Sequence, residues 1–378
     1  MTPALEEGAA MGQAEGPANF YDLTHEELEG VLASLGAPAY RARQIWGWAY
    51  QQLASSFEAM TNLPATLRRE LAQRYTLSPA EVADTSADEA SHTRKDLLRL
   101  ADGETIETVL MEEQYGQTVC VSTQVGCPMA CTICATGQAG FRRNLSPGEI
   151  VYQVIHFNRV LAPRGLRVTN VVFMGMGEPL LNYDATVQAI ATLADPTGLS
   201  IRAQQITVST VGLPERIVAL AGQPYPVRLA ISLHGPDQET RARLVPLAAK
   251  VPLQELITAC ATYARVRRQR ITFEYVLVAG VNDSPEHARK LVSLIGSLPA
   301  HVNLIPLNPV PGCDFRPAAL EAAEHFRLEL GRSRIPCTVR YSRGVAIRAG
   351  CGQLRAKRGG RPTKREDLSR RPRRGSKR

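Results

Sequence analysis

The chain has 378 residues, two to three times the length of a typical domain, with 44% hydrophobic and 21% charged residues, so it can bury a sizeable core, and whole-chain disorder or a fibrous architecture is excluded. No apolar run approaches the roughly 18 to 20 residues that span a bilayer, and the N-terminus is acidic where a secretory signal would be basic, so a cytoplasmic protein with no membrane partner is expected. The formal net charge of +8 is uneven: residues 355–378 hold 12 Lys and Arg against Glu366 and Asp367, a net of +10, which leaves the first 354 residues at −2.

Residues 1–20 lack periodicity and read as disordered, with Met11 as a second candidate start. Residues 21–80 read as a small helical domain. Leu23, Leu28, Val31, Leu32 and Leu35 follow helical spacing behind Thr24, a candidate cap, and Gly36 stops the run. A second helix is expected from Tyr40 to Tyr50, where Arg41, Arg43 and Gln44 alternate with Ile45, Trp46 and Trp48. Such a segment can hold RNA, or its tryptophans can anchor a core with the arginines in solvent. Residues 81–112 form a β-rich connector, and the runs LLRL, IETVLM and TVCVSTQV between Leu97 and Val125 are strand-like. From 113 to 346 the pattern becomes α/β. Strands are expected at Asn170–Met174, Gln205–Ser209, Val227–Ser232, Ile271–Val278, Val302–Pro306 and Cys337–Tyr341. Helices are expected at Pro147–Leu161, Tyr183–Ala194, Leu253–Val266, Pro285–Leu298 and Ala318–Leu330. That alternation requires a parallel sheet covered by helices, either a partial barrel of about six units or a doubly wound open sheet. Residues 355–378 read as a disordered basic tail that tethers a polyanion or only keeps the chain soluble.

Eight cysteines occur, and three of them, Cys127, Cys131 and Cys134, form C-x-x-x-C-x-x-C in GCPMACTIC directly after a predicted strand. In a cytosolic chain such clustering points to metal or redox chemistry rather than a disulfide framework. Three thiolates on a cubane iron-sulfur cluster leave one iron open to a substrate, just as catalytic zinc keeps a position that structural zinc closes. A zinc site completed by His156 or another cysteine is the alternative. Strand ends add a second pattern: GMGEP after the first of the parallel strands, Ser209 closing ITVS, Ser232 and His234 closing AISLH, and Asn308 after NLIPL. Each alone would read as a turn or a helix cap, and His234 as a core histidine; four polar strand ends together suggest one shared ligand.

At this point the residues match a known pattern. The cysteine triad resembles the signature of radical S-adenosylmethionine (SAM) enzymes, and the chain is similar to their RlmN/Cfr family of RNA adenine methyltransferases. The similarity runs through YRARQIW, TVCVSTQVGC, GFRRNLSPGEI, VVFMGMGEPLLN, ITVSTVG, LAISLH, NLIPLNPVPG and SRGVAIRAGCGQL, about residues 20 to 354. It implies a partial (βα)6-type barrel of the radical SAM kind behind a helical RNA-binding domain. It also implies one 4Fe-4S cluster on Cys127, Cys131 and Cys134, and SAM bound by Gly177, Glu178, Ser209, Ser232, Leu233, His234 and Asn308.

By the same resemblance, residues 347–354 carry a methylated cysteine, Cys351. Carbon 2 of adenine is electrophilic, so simple displacement on SAM cannot methylate it. Cys351 would take a methyl group from one SAM, and a second SAM would supply the radical that activates that methyl for addition to the base. Cys120 would then release the protein-RNA crosslink by attacking the methyl-bearing sulfur, leaving a Cys120–Cys351 disulfide to be reduced. Glu107 aligns with the family's proton acceptor. The implied substrates are an adenine at the peptidyl-transferase centre of 23S rRNA and the adenine 3′ of the anticodon in some tRNAs. The implied electron source is a reduced donor such as flavodoxin or ferredoxin. Arg142 and Arg143, the helical domain and the tail are candidate RNA contacts. Methylation at carbon 8, the reaction of the other branch, and a non-catalytic RNA-binding protein with a structural metal are the competing readings; the long N-terminal unit favours carbon 2. Ala346 stands where related sequences carry an acidic residue.

Overall fold

The computed structural model describes residues 16–114 and 116–355; the readings for residues 1–15 and 356–378 lie outside the described residues. Helix α1 (His25–Ser34) begins where its sequence permits. Thr24 Oγ1 accepts from Glu27 N and the Glu27 carboxylate accepts from Thr24 N, a reciprocal cap whose loss costs about 1 kcal/mol. Gly36, at φ +67°, terminates the run. Helix α2 (Tyr40–Trp46) departs from expectation at Gly47, where the chain widens into a π turn, Gly47–Gln51, with Gln52 N donating to Gly47 O. Helix α3 (Ala65–Arg74) completes the unit.

This unit is fixed to the rest of the chain. Trp46 is buried against Phe20 and Tyr50, and its Nε1 donates to Asp195 Oδ2 at 2.7 Å. Arg159, from the core, donates to Tyr21 Oη and to the carbonyls of Leu53, Ala54 and Leu77. Trp46 is therefore an anchor and not a free RNA platform. Trp48 is half-buried and donates to Asn62, while Tyr40 stays exposed beneath the Arg41 guanidinium.

One ten-stranded sheet follows. Its antiparallel part is β1 (Ala80–Asp88), β2 (Thr93–Leu100) and β3 (Thr105–Glu113), with β3 paired to β4 (Gly116–Cys120). The parallel part continues in chain order through β5 (Asn170–Phe173), β6 (Ile206–Thr210), β7 (Arg228–Ser232), β8 (Ile271–Leu277), β9 (Ala300–Pro306) and β10 (Cys337–Val339). The connector strands thus extend the core sheet and do not form a layer of their own.

Among the described residues, each of the six connections between the seven parallel strands carries one long helix, α4 (Pro147–Leu161), α5 (Tyr183–Ala194), α6 (Pro214–Ala221), α7 (Leu253–Arg267), α8 (Pro285–Ile295) and α9 (Leu320–Arg332), beside the short helices Ala135–Ala139 and Gln238–Leu244. A doubly wound sheet requires the strand order to reverse; here it runs one way only. Right-handed crossovers then place every helix on the same face, and the twisted sheet curls its other face inward as a partial barrel. Residues paired across that sheet share a face, and the register Ser232↔Glu274↔Asn303 sets a polar row inside it. No helix among the described residues is long and apolar enough to cross a membrane.

Candidate functional site

The cysteine loop is clamped at its neck. Gln124–Gly126 pairs antiparallel with Phe141–Asn144, and Cys127 N donates to Gly140 O at 3.0 Å. Gly126 lies at φ +76°, and a Cβ there would sit 1.9 Å from Gly140 O. Gly126→Ala should therefore open the clamp at a local cost of about 1 to 3 kcal/mol or more. The expected result is a protein that keeps its far-UV circular dichroism but takes up little iron on anaerobic reconstitution; iron uptake equal to wild type would refute the clamp.

Cys127, Cys131 and Cys134 line an open cavity with about 970 Å³ of empty space, mouth included. Its other walls include Gly177, Glu178, Ser209, Ser232, His234, Asn308 and Cys351, so residues from six separate segments meet at the C-terminal ends of the strands. Burial pushes the Cys127 thiol up to about 12 and the Cys131 thiol well above the usual thiol range. A bound metal core reverses that balance, because coordination deprotonates a thiol outright. Three thiols facing one cavity, with a few polar strand-end groups set in largely apolar walls, fit a cluster that keeps one iron open. Among the described residues, no three His, Cys, Asp or Glu side chains are gathered as for a single ion. His156, weighed as a fourth zinc ligand, is instead hydrogen bonded through Nε2 to Asp96 Oδ2 at 2.6 Å.

Each strand-end residue is held by its neighbours. Glu178 is fully enclosed: its Oε1 accepts from Leu180 N and its Oε2 from Val211 N, and burial raises its pKa. Gly177, at φ +104°, lets the backbone pass Gln124, whose side chain a Cβ would meet at 2.7 Å. Ser209 Oγ and Ser232 Oγ are 3.3 Å apart. His234 sits at φ +57°, and its Nδ1 accepts from Val276 N at 3.2 Å, which assigns the proton to Nε2 and leaves that N–H for another acceptor. Burial pushes its pKa down to about 3, so the ring is neutral. Asn308 Nδ2 donates to Ser342 Oγ and to the Cys351 carbonyl, tying the cavity to the segment that carries Cys351.

Three residues fall elsewhere. Leu233 is packed in the core and does not line the cavity; its N–H donates to Glu274 O. Cys120, at the end of β4, lines a second, smaller cavity together with Cys351, Arg340 and Met174, and both thiols are free. Glu107 is buried in β3, not solvent-facing, and lines neither cavity. Its Oε1 pairs with Lys95 Nζ at 2.8 Å and its Oε2 accepts from Arg355 N at 2.7 Å, in the wall of an open groove that Glu107 lines with Lys95, Glu104, Arg142, Arg348 and Arg355. Arg143 is engaged internally by Glu149 and Asp102, while Arg142 stays exposed beside Glu104. Ala346 lines a further groove with Lys95 and Glu107.

Sequence reasoning missed Glu274, a cavity residue whose Oε1 accepts from Asn303 Nδ2 and whose buried Oε2 has no partner. The available signal was an acidic residue at the centre of the otherwise apolar strand ITFEYVL.

Comparison with known proteins agrees with this geometry. Residues 18–77 match the family described as ribosomal RNA large subunit methyltransferase N-terminal domain, and residues 121–292 match the radical SAM superfamily. The chain is 45% identical over 339 residues to a dual-specificity RNA methyltransferase, RlmN 1, of Myxococcus xanthus, covering 90% of this chain and 94% of that one. It is 46% identical over 345 residues to a probable dual-specificity RNA methyltransferase RlmN of Synechocystis, covering 91% and 97%. Its fold superposes with a TM-score of 0.88 on a radical SAM methyltransferase from Sphaerobacter thermophilus, at 48% identity over 91% of this chain and 100% of the other.

Proposed function

Because the chain belongs to the RlmN family of radical SAM RNA methyltransferases, we propose that it methylates carbon 2 of one adenine in 23S rRNA, at the peptidyl-transferase centre, and of the adenine 3′ of the anticodon in some tRNAs. The observation that carries this reading is the single cavity shared by the three motif cysteines, the polar strand ends and Cys351. In it Cys127, Cys131 and Cys134 hold a 4Fe-4S cluster. When bound, that cluster together with SAM supplies the radical that removes a hydrogen atom from an unactivated methyl group.

The chain's own residues do the rest. Glu178 accepts from the SAM ammonium group, and Gly177 lets the backbone come close. Ser209, Ser232, the His234 Nε2–H and Asn308 line the remainder of the ligand, with Leu233 contributing only backbone. Cys351 takes the methyl group on sulfur and delivers its carbon to the base. Cys120 attacks that sulfur, so an S–S bond forms as the C–S bond breaks; the freed carbon takes a proton, the odd electron left by radical addition passes to an oxidised one-electron carrier, and the resulting disulfide is returned to two thiols by a reductant of the cytosol, where we place the protein. A one-electron donor of the flavodoxin or ferredoxin kind serves the cluster. Glu107, paired with Lys95 Nζ, accepts the proton lost from carbon 2. The base cannot react within a stack, so the RNA presents it unstacked, and the groove lined by Lys95, Arg142, Arg348 and Arg355 faces the phosphates around it.

The test is nucleoside mass spectrometry of rRNA and tRNA incubated with anaerobically reconstituted protein, SAM and a reductant. We expect 2-methyladenosine; 8-methyladenosine, or no methylated adenosine at all, would overturn the assignment.

A further inference from the structure

Arg241 heads the fully buried side chains of the described residues by size, and it has no obvious reason to be there. Its Nη2 donates to the Val211 carbonyl, but Nε and Nη1 have no partner. A guanidinium removed from water and left without an anion is strongly unfavourable. The ionisable groups that act on it are the thiols of Cys131 and Cys260, with His234 nearby. Burial pushes Cys260 up to about 12, so that thiol stays neutral and offers no charge.

The surrounding chain places Arg241 directly behind the cysteine loop. It lies on the short helix Gln238–Leu244, whose start Asp237 caps. Thr132, inside the cysteine motif, donates through N to Leu244 O at 3.0 Å and through Oγ1 to Arg243 O. Gly235 lets the backbone close over the helix, since a Cβ there would meet Arg241 N at 2.5 Å. Val211, which takes the Nη2 bond, lines the cavity and donates its own N–H to Glu178. The buried cation and the motif thiols therefore belong to one packed assembly, in which the nearest carboxylate, Glu178, is engaged by Val211 N and Leu180 N and not by the guanidinium.

We propose that Arg241 is the internal counter-cation of the iron-sulfur cluster, a positioning residue whose charge favours the reduced cluster and so raises its reduction potential. An iron-sulfur core carrying three thiolates is net negative in both oxidation states, and gaining one electron makes it more so; a fixed cation beside Cys131 stabilises the product of that step more than its reactant. The inference rests on the reading that Cys127, Cys131 and Cys134 hold a cluster.

The test uses the full chain as wild type, Arg241→Lys and Arg241→Met, each reconstituted anaerobically. Iron and sulfide are counted, and the midpoint potential is then read by spectroscopic titration without SAM. Arg241→Lys should titrate near wild type. Arg241→Met should shift the reduction equilibrium about tenfold toward the oxidised cluster, about 59 mV for a one-electron couple. Without iron, Arg241→Met should melt close to the wild-type apoprotein, because relief of a buried charge without an anion offsets the lost hydrogen bond to the Val211 carbonyl. A loaded Arg241→Met with an unchanged potential overturns the proposal, as does an unchanged potential with weakened SAM binding, which would make Arg241 a SAM ligand. An apoprotein that melts far lower would make it an ordinary packing residue and also overturn the proposal. A wild-type protein that takes up no iron and sulfide would instead strike down the cluster reading on which the inference stands.

Discussion

Replacing Cys351 with alanine is expected to lower RNA methylation by on the order of a thousandfold or more, to background, while leaving iron content and SAM binding intact. The reason is chemical: carbon 2 of adenine is electron-poor and does not attack a sulfonium methyl group, so the one-carbon unit must first reside on a side chain. Cys351, the proposed carrier, is half-buried at the boundary of two cavities. One holds the motif cysteines and the strand ends, and the other holds Cys120. Its backbone is secured by Asn308, by Gln353, which reaches Gly350 N and Pro309 O, and by Gly352 O, which accepts from Ala135 N. These are backbone contacts, so removing the thiol should not loosen the segment. Intact-mass spectrometry supplies a second readout: protein from cells with normal SAM metabolism should carry one additional methyl group on Cys351, and the alanine variant none. Wild-type turnover by Cys351→Ala, or an unmodified Cys351 in active enzyme, would dismantle the route.

Cys120→Ala should fail differently. It should complete carbon-carbon bond formation and then stall, accumulating a covalent protein-RNA adduct visible as a shifted, nuclease-sensitive band, with multiple turnover lost. Burial, with a smaller contribution from the neighbouring Cys351, pushes the Cys120 thiol up to about 12. Only its thiolate attacks sulfur, and far below that pKa the thiolate fraction rises tenfold per pH unit. Release by the wild-type enzyme should therefore accelerate about tenfold for each unit between pH 7 and 9, provided the adduct is pre-formed and the pH then jumped. A flat profile would mean that release does not depend on the Cys120 thiolate. Absence of adduct in Cys120→Ala would assign release to another group.

The elements that sequence reading recovered are those with strong local periodicity. Helices Pro147–Leu161 and Tyr183–Ala194 were expected at the residues where they occur, since each is long, amphipathic and closed by recognisable termini. Strand β1 lies in the connector read as β-rich but was not singled out, because AEVADTSAD is an edge strand whose residues are mostly exposed, which erases the alternation that marks a strand. Helix α6 was missed because its eight residues make only about two turns, too short a stretch for the run IVALA to show a helical period. QETRARL was passed over because its polarity resembles a solvated loop, although Arg241 within it is buried completely.

By itself the sequence determined the order of the strongly periodic elements, the close grouping of Cys127, Cys131 and Cys134 and the polar residues at the strand ends, because residue type and short spacing are local properties that survive without a fold. Only the tertiary structure decided what those residues meet. It set Cys351 beside both Cys120 and the cysteine cavity, separated Glu107 from that cavity and joined it to Lys95, and left Glu274 and Arg241 with unanswered polar atoms. Those outcomes depend on strand register and on the curl of a singly wound sheet, which bring together residues hundreds of positions apart, and no local period encodes that juxtaposition.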